Sequence, residues 1–225
     1  MKVFIIGGAG DIGRRLATAL RANGDIATGM HRDAQQHDAI EDAGGIPALG
    51  DLIEHGADAL ASLMAGHDAV VFSAGAHGTG TDMTTLIDGK GVERAAEAAS
   101  LAGVPQFLLI SAFADSERGR GLGEDFEHYI RVKRGAEVVL TRTDLDWLIV
   151  RPGHLLPGAG DGRVSAGLAL RETDVRREDL VHFIVEALHS SELTRVIVEV
   201  TAGPTPIAEA VAQVARSTGP RPISR

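Results

Sequence analysis

Tyr129 is the only tyrosine in the chain, and Lys133 follows it four residues later in the stretch YIRVK. Residues four apart share one face of a helix, so the phenol and the ammonium can converge on one cleft. A phenol that exchanges protons near neutral pH needs its ordinary pKa of about 10 lowered, and a neighbouring cation favours phenolate. The spacing therefore predicts a general acid/base, Tyr129, tuned downward by Lys133. The run QFLLISA (106–112) carries Ser111 to the end of a strand just before this pair. A hydroxyl there can hold a carbonyl oxygen and share a proton network with Tyr129.

A second constellation opens the chain. In KVFIIGGAGDIGRRLATAL (2–20), Gly7, Gly10 and Gly13 stand three apart, after a strand-type run and at the start of a helix-type run. Such spacing gives a tight turn, room for a diphosphate against the backbone and close packing of helix on strand. The N–H groups at that helix terminus, from Asp11 through Ile12 to Gly13, would face the anion. In the form of this motif that binds NAD, an acid about 20 residues further on holds the ribose hydroxyls. Here that stretch reads ATGMHRD: Asp25 starts the strand and Asp33 reads as a helix cap. Arg32 stands just beyond the strand instead, where a guanidinium can pair with a 2′-phosphate, with His31 beside it. The expected cofactor is NADP(H), with NAD(H) as the lesser possibility.

The elements that must position these residues can be traced in the 225-residue chain. Short Val- and Ile-rich runs at 3–7, 25–30, 46–50, 68–75, 106–112 and 146–153 alternate with segments of helical period. Continuous apolar runs without in/out alternation suit parallel strands covered on both faces. Asp33 and Gln36 make a capping box before AQQHDAIEDAG, which Gly44 ends, and 81–103 is long enough for one full crossover helix. Alternation of strand and helix implies an α/β fold, a doubly wound parallel sheet with helices on both faces. Beyond Arg151 the texture changes. The stretch 152–167 is rich in Gly and Pro and reads as an irregular loop with at most one short strand. A helix at about 177–189, a strand at 195–200 and a final helix at about 206–215 follow, before a tail that frays. One domain, 1–225, is expected, with its core in 1–151 and a small C-terminal, substrate-covering part in 152–225.

Composition excludes several function classes. Asp plus Glu outnumber Lys plus Arg, 31 to 22, for a formal charge of −9, which argues against a nucleic-acid surface. There is no cysteine, so thiol catalysis and disulfides are out. The histidines are scattered without metal-ligand spacing, so no metal is expected, and His182 and His189 read as packed or solvated. Trp147 reads as core. No apolar run approaches the roughly 18 residues of a membrane span, and the N-terminus has no signal-peptide pattern. A cytoplasmic protein with a small-molecule substrate, monomeric or homodimeric, is the simplest expectation.

Taken together, GGAGDIG, GDL (50–52), FSAG (72–75), LLISAF (108–113), YIRVK and DWLIVRPG (146–153) resemble the atypical short-chain dehydrogenase/reductase superfamily. Within it the chain is similar to the small NAD(P)H-binding group of NmrA-like proteins and biliverdin-IXβ/flavin reductases. The resemblance implies a Rossmann-type fold and hydride transfer to or from a small carbonyl, quinone or flavin-like acceptor. It places Asp51 and Leu52 on the adenine, and Ser73, Ala74 and Gly75 along the adenosine and ribose. Lys133 would reach nicotinamide-ribose hydroxyls, and Pro152, Gly153 and His154 would lie beside the nicotinamide. The same resemblance leaves two alternatives: a non-catalytic NADP(H)-binding redox sensor, and a nucleotide-sugar epimerase or dehydratase. The chain departs from the pattern at Ala112, where many relatives carry a second serine, and at Arg94, where some carry asparagine. The flavin reductases lack the Tyr and Lys pair found here, so their substrates do not carry over.

Overall fold

The computed structural model describes residues 1–76, 78–113 and 121–218. Its first half is β1 (Lys2–Ile6), α1 (Asp11–Ala22), β2 (Ile26–His31), α2 (His37–Asp42), β3 (Ile46–Leu49), α3 (Ala57–Met64) and β4 (Ala69–Phe72). The second half continues with α4 (Thr81–Thr84), α5 (Gly91–Ala102), β5 (Gln106–Ile110), α6 (Glu124–Leu140) and β6 (Asp146–Pro152). It closes with β7 (His154–Leu156), β8 (Arg163–Gly167), β9 (Asp174–Arg176), α7 (Arg177–Leu188), β10 (Val196–Pro206) and α8 (Ile207–Thr218).

The main sheet has eight strands in the order β3-β2-β1-β4-β5-β6-β10-β8. All its pairings are parallel except β10 with β8. This is the expected Rossmann-like α/β fold. The side chains of β1 show why both faces are covered: Val3 and Ile5 join a core beneath α1, α7 and α8, while Phe4 and Ile6 join a second core beneath α3, α5 and α6. A strand buried on both sides cannot carry a polar face, hence its unbroken hydrophobicity. Strand order reverses between β1 and β4, which opens a crevice at their carboxyl ends.

Three segments differ from the sequence-based expectation. The single crossover helix expected over 81–103 is α4, a six-residue π-helical turn (Thr85–Lys90) and α5. The stretch 152–167, expected to hold one strand at most, holds β7 and β8; Arg163 to Gly167 pair antiparallel with β10, which extends to Pro206. Tertiary pairing supplies hydrogen bonds that a Gly-rich sequence does not advertise. α3 had no sequence signal strong enough to announce it. The tail from 219 onward lies outside the described residues.

The Asp33–Gln36 capping box forms as expected, with Asp33 accepting from the Gln35 amide at 2.9 Å, although the first turn is 3₁₀ before α2 begins. No helix among the described residues is long and apolar enough to cross a membrane.

Candidate active site

At the carboxyl edge of β1 the chain turns through Gly7, whose φ of +86° is a conformation side chains resist. A Cβ on Gly7 would also lie 2.8 Å from the Ala74 nitrogen, so this turn sits directly against the chain leaving β4. Gly13 serves the packing role: a Cβ there would come within 2.3 Å of the Gly7 carbonyl oxygen. Gly10 is different, because its Cβ would meet only that same oxygen, at 3.2 Å, and would otherwise fill the cleft. Gly10 is the N-cap of α1 and carries no side chain to cap it, so the first-turn amides of a twelve-residue helix are left for another acceptor.

Gly7 and Gly10 floor a cleft of about 450 Å³. Of the residues expected to hold a dinucleotide, Gly7, Gly10, His31, Arg32, Asp51, Leu52, Ser73, Ala74 and Gly75 line it. Asp11, Ile12, Gly13, Lys133, Pro152, Gly153 and His154 do not. The Asp11 carboxylate accepts from Arg15 Nε at 2.9 Å and pairs with Arg177 at 3.2 Å, Ile12 packs on the core, and Gly13 is buried. Asp11 therefore carries its own counter-ions at a place where an anion would otherwise meet a bare carboxylate.

Exposed Arg32 sits at the rim. Buried His31 contacts the Asp33 carbonyl through Nδ1 at 2.8 Å, and because a carbonyl only accepts, Nδ1 carries the proton. Asp51 turns its carboxylate to its own loop, accepting from the Ile53 amide at 2.6 Å, and so presents the edge of that turn to the cleft. Arg94 donates to the Leu52 and Ile53 carbonyls of the same loop, a bracing role in place of the asparagine found in some relatives. Ser73 Oγ donates to the Ile6 carbonyl at 2.9 Å and ties β4 to β1.

The proton-transfer corner lies one strand over. Ser111 continues the β5–β6 ladder, its amide donating to the Val150 carbonyl at 2.8 Å. It is 5% exposed, and its Oγ is one of two buried side-chain polar atoms without a hydrogen-bond partner among the described residues; the other is Trp147 Nε1. A buried hydroxyl left unpaired costs about 1–3 kcal/mol, and Ser111 Oγ is left able to take a hydrogen-bond partner. The expected network between Ser111 and Tyr129 is therefore not formed in this structure.

Lys133 is on α6 with Tyr129, as the spacing implied, but its partners are not the phenol. Its Nζ donates to the Ile110 carbonyl at 2.8 Å and lies 3.6 Å from Asp88 Oδ1. Asp88 comes from the π-helical turn, is 2% exposed, and accepts from the Ala76 amide at 2.9 Å. Burial pulls the Lys133 ammonium below its ordinary value, and the charges of Asp88 and then Glu137 oppose that pull. The expectation of a lowered phenol fails: burial first, and the Asp88 charge second, push Tyr129 up to about 12. The Lys133 ammonium, which was to have lowered it, is engaged by the Asp88 carboxylate and the Ile110 carbonyl instead. Asp88 had no sequence signal, since nothing in TLIDGK distinguishes it from a solvent-facing acid.

Pro152 and Gly153 are buried and His154 is exposed. A Cβ on Gly153 would overlap the Thr173 carbonyl at 1.7 Å, so the glycine there is demanded by the chain crossing between β7 and β9. Beneath this edge, Arg151 grips Glu137 in two hydrogen bonds of 2.9 and 2.6 Å, and Glu199 at 3.7 Å completes a part-buried ionic cluster that sequence reasoning missed. At the opposite end of the sheet His189, expected to be packed or solvated, bonds Asp25 at 2.8 Å. Trp147 is 9% exposed, in the core as expected.

A crevice at the strand-order reversal, a glycine turn with uncapped helix amides and an orphaned hydroxyl one strand away thus share the carboxyl edge of the sheet, where open α/β folds bind their ligands. The chain belongs to the NAD(P)H-binding family, whose model matches residues 7–191. It is 35% identical over 213 residues to the uncharacterized sugar epimerase YhfK of Bacillus subtilis, covering 94% of this chain and 99% of YhfK. A structure from Bacillus halodurans with the provisional name NAD-dependent epimerase/dehydratase is 30% identical and superposes with a TM-score of 0.87, covering 95% of this chain and 100% of that one. ChuY, an anaerobillin reductase from Escherichia coli O157:H7, shares the fold at 21% identity and a TM-score of 0.73, covering 91% of this chain and 100% of ChuY.

Proposed function

We propose that the protein is an NADP(H)-dependent oxidoreductase acting on a small carbonyl, quinone or flavin-like acceptor. The orphaned hydroxyl of Ser111 carries this reading, because a buried donor without a partner at the carboxyl end of β5 suits an acceptor oxygen. The cleft fits the cofactor: Gly7, Gly10 and the uncapped amides of α1 would hold the diphosphate. Asp51 and Leu52 would flank the adenine, and Ser73, Ala74 and Gly75 the adenosine side. Arg32, with His31, would hold a 2′-phosphate, and Pro152, Gly153 and His154 would edge the nicotinamide. The reduced nicotinamide supplies a hydride when bound. Ser111 orients the acceptor oxygen, Tyr129 exchanges a proton with it, and Lys133 reaches the ribose while gripping the end of β5.

The names carried by YhfK and the Bacillus halodurans protein raise a second reading, epimerisation or dehydration of a nucleotide-sugar. The geometry favours the first. β8, β10, α7 and α8 belong to the main sheet and its covering layer, so among the described residues beyond Arg151 the β7–β9 pair is the one sheet left over to help enclose a nucleotide-sugar. A redox sensor would bind NADP(H) without turnover.

An NADPH-oxidation screen over quinones, flavins and small carbonyls, run beside Tyr129→Phe and Ser111→Ala, tests the proposal. Turnover should fall about 10²-fold or more in each variant while NADPH binding persists. Variants as active as the wild type in every reaction found would remove the assigned roles, and binding without any turnover would favour the sensor.

A further inference from the structure

β2 ends on a side chain of the type that changes charge in the physiological pH range. His31 is 5% exposed, lines the cleft beside Arg32 and Gln36, and is held from two sides. Its carbonyl accepts from the Gly50 amide at 2.9 Å, and its Nδ1–H donates to the Asp33 carbonyl at 2.8 Å. With that proton fixed on Nδ1, the neutral ring has only a lone pair at Nε2 and can accept there, whereas the charged ring carries N–H at Nε2 and can donate. Nε2 has no hydrogen-bond partner among the described residues. The two nicotinamide cofactors differ at one position, the adenosine 2′ oxygen. A hydroxyl there can donate to a lone pair, and a phosphate dianion has only acceptors to offer.

We propose that His31 discriminates between the cofactors by its charge: neutral, it accepts from the 2′-hydroxyl of NAD(H), and on taking a proton from solvent it becomes a second cation, beside Arg32, for the 2′-phosphate of NADP(H). The inference rests on the reading of this cleft as an NADP(H) site with the 2′ position at the end of β2. Binding NADPH then consumes a proton at any pH where the free ring is neutral, and binding NADH consumes none. The acid that serves NAD in the common form of this motif is replaced here by a group able to take either part.

The other polar and titratable groups around the ring are engaged or exposed. Gln36 turns its Oε1 to the Asp33 amide at 3.4 Å, which leaves its NH₂ group as a neutral donor. The Asp33 carboxylate accepts from the Gln35 amide. His37 of α2 stands edge-on to His31 with ring centres 5.8 Å apart and meets Glu41 at 3.5 Å. Asp38 and Asp42 of the same helix are exposed. On the loop after β3, the Asp51 carboxylate accepts from the Ile53 amide, His55 Nδ1 accepts from the Asp51 amide at 3.2 Å, and Glu54 is exposed. β3 itself carries no titratable side chain. At the glycine turn, Asp11 is paired with Arg15 and Arg177. Arg32 is thus the fixed cation at this end of the cleft, and His31 the switchable one.

Isothermal titration calorimetry in two buffers of different ionisation enthalpy counts the protons exchanged on binding, without any turnover. At about pH 7.5 the wild type should take up at least about 0.3 proton per NADPH and close to none per NADH. The 2′-phosphate, with a second pKa of about 6, is already a dianion at that pH and has next to no proton of its own to exchange. The ratio of NADPH to NADH affinity should fall at least about threefold between about pH 6.5 and 8.5. His31→Asn, which keeps a donor for the Asp33 carbonyl but has nothing at the Nε2 position, should lose both the uptake and the pH dependence of the ratio while still binding NADPH through Arg32. The comparison of the two cofactors on the wild type stands whether or not that variant folds. Equal uptake with both cofactors, zero included, or a variant that takes up as many protons as the wild type, would overturn the proposal even where tighter binding of NADPH keeps the NADP(H) assignment intact. Absence of NADPH binding would overturn that assignment and this inference with it.

Discussion

At the nucleotide end of the cleft the chain works with its backbone: Gly7 makes the turn, Gly13 lets helix meet strand, and the uncapped amides of α1 face outward. At the corner holding Ser111, one strand away, the working parts are side chains brought from β5, α6 and the π-helical turn, and their charges decide the chemistry. A backbone site tolerates changes in side chains but not in shape. A side-chain site tolerates small changes in shape but not in charge.

The comparison breaks hardest if the glycine turn proves replaceable. Gly13→Ala should cost about 3 kcal/mol in denaturant unfolding, since a Cβ 2.3 Å from the Gly7 carbonyl forces the backbone apart, and NADPH fluorescence should show binding weakened with it. Unchanged stability would mean the turn is looser than its geometry implies. Arg32→Ala probes the one place where the nucleotide end relies on a side-chain charge. NADPH affinity should drop about tenfold, the loss of one charge-assisted contact, with NADH affinity unaltered. Equal weakening of both cofactors would remove the phosphate argument.

A stability effect smaller than that of Gly13→Ala is expected far from either end. Asp25 is raised by burial, but hydrogen bonds from Asn23, the N-terminal ammonium and His189 outweigh this and leave it at about 2, below its ordinary 3.8. A depressed folded-state pKa contributes stability that is fully present above 3.8 and lost as pH falls through about 2. Unfolding free energies of wild type and Asp25→Asn should therefore differ by about 2 kcal/mol near neutral pH and converge toward pH 2. A difference that persists in acid would assign the effect to packing.

The strand-and-helix alternation, the capping box at Asp33 and the residue set around the glycine turn were legible because each is a local pattern with a local cause. The placement of Tyr129 and Lys133 on one helix was legible for the same reason. Their electrostatic relation was not. Helical spacing puts two side chains on one face but says nothing of a third group from another element, and Asp88, on the π-helical turn 85–90, takes Lys133 as its counter-ion. The antiparallel pairing of β8 with β10 was hidden likewise, since the hydrogen bonds that make 163–167 a strand come from residues more than thirty positions away.

What the residues settled alone was the main-chain architecture: which segments are buried on both faces, where a glycine turn must sit, and which helix carries the phenol. These follow from periodicity and from backbone sterics, which act over a few residues. Which carboxylate is buried beside the lysine, which hydroxyl is left without a partner, and in which direction the phenol's proton affinity moves were decided by tertiary convergence. Burial and Coulomb interaction depend on distances through space, and a linear sequence does not contain those distances.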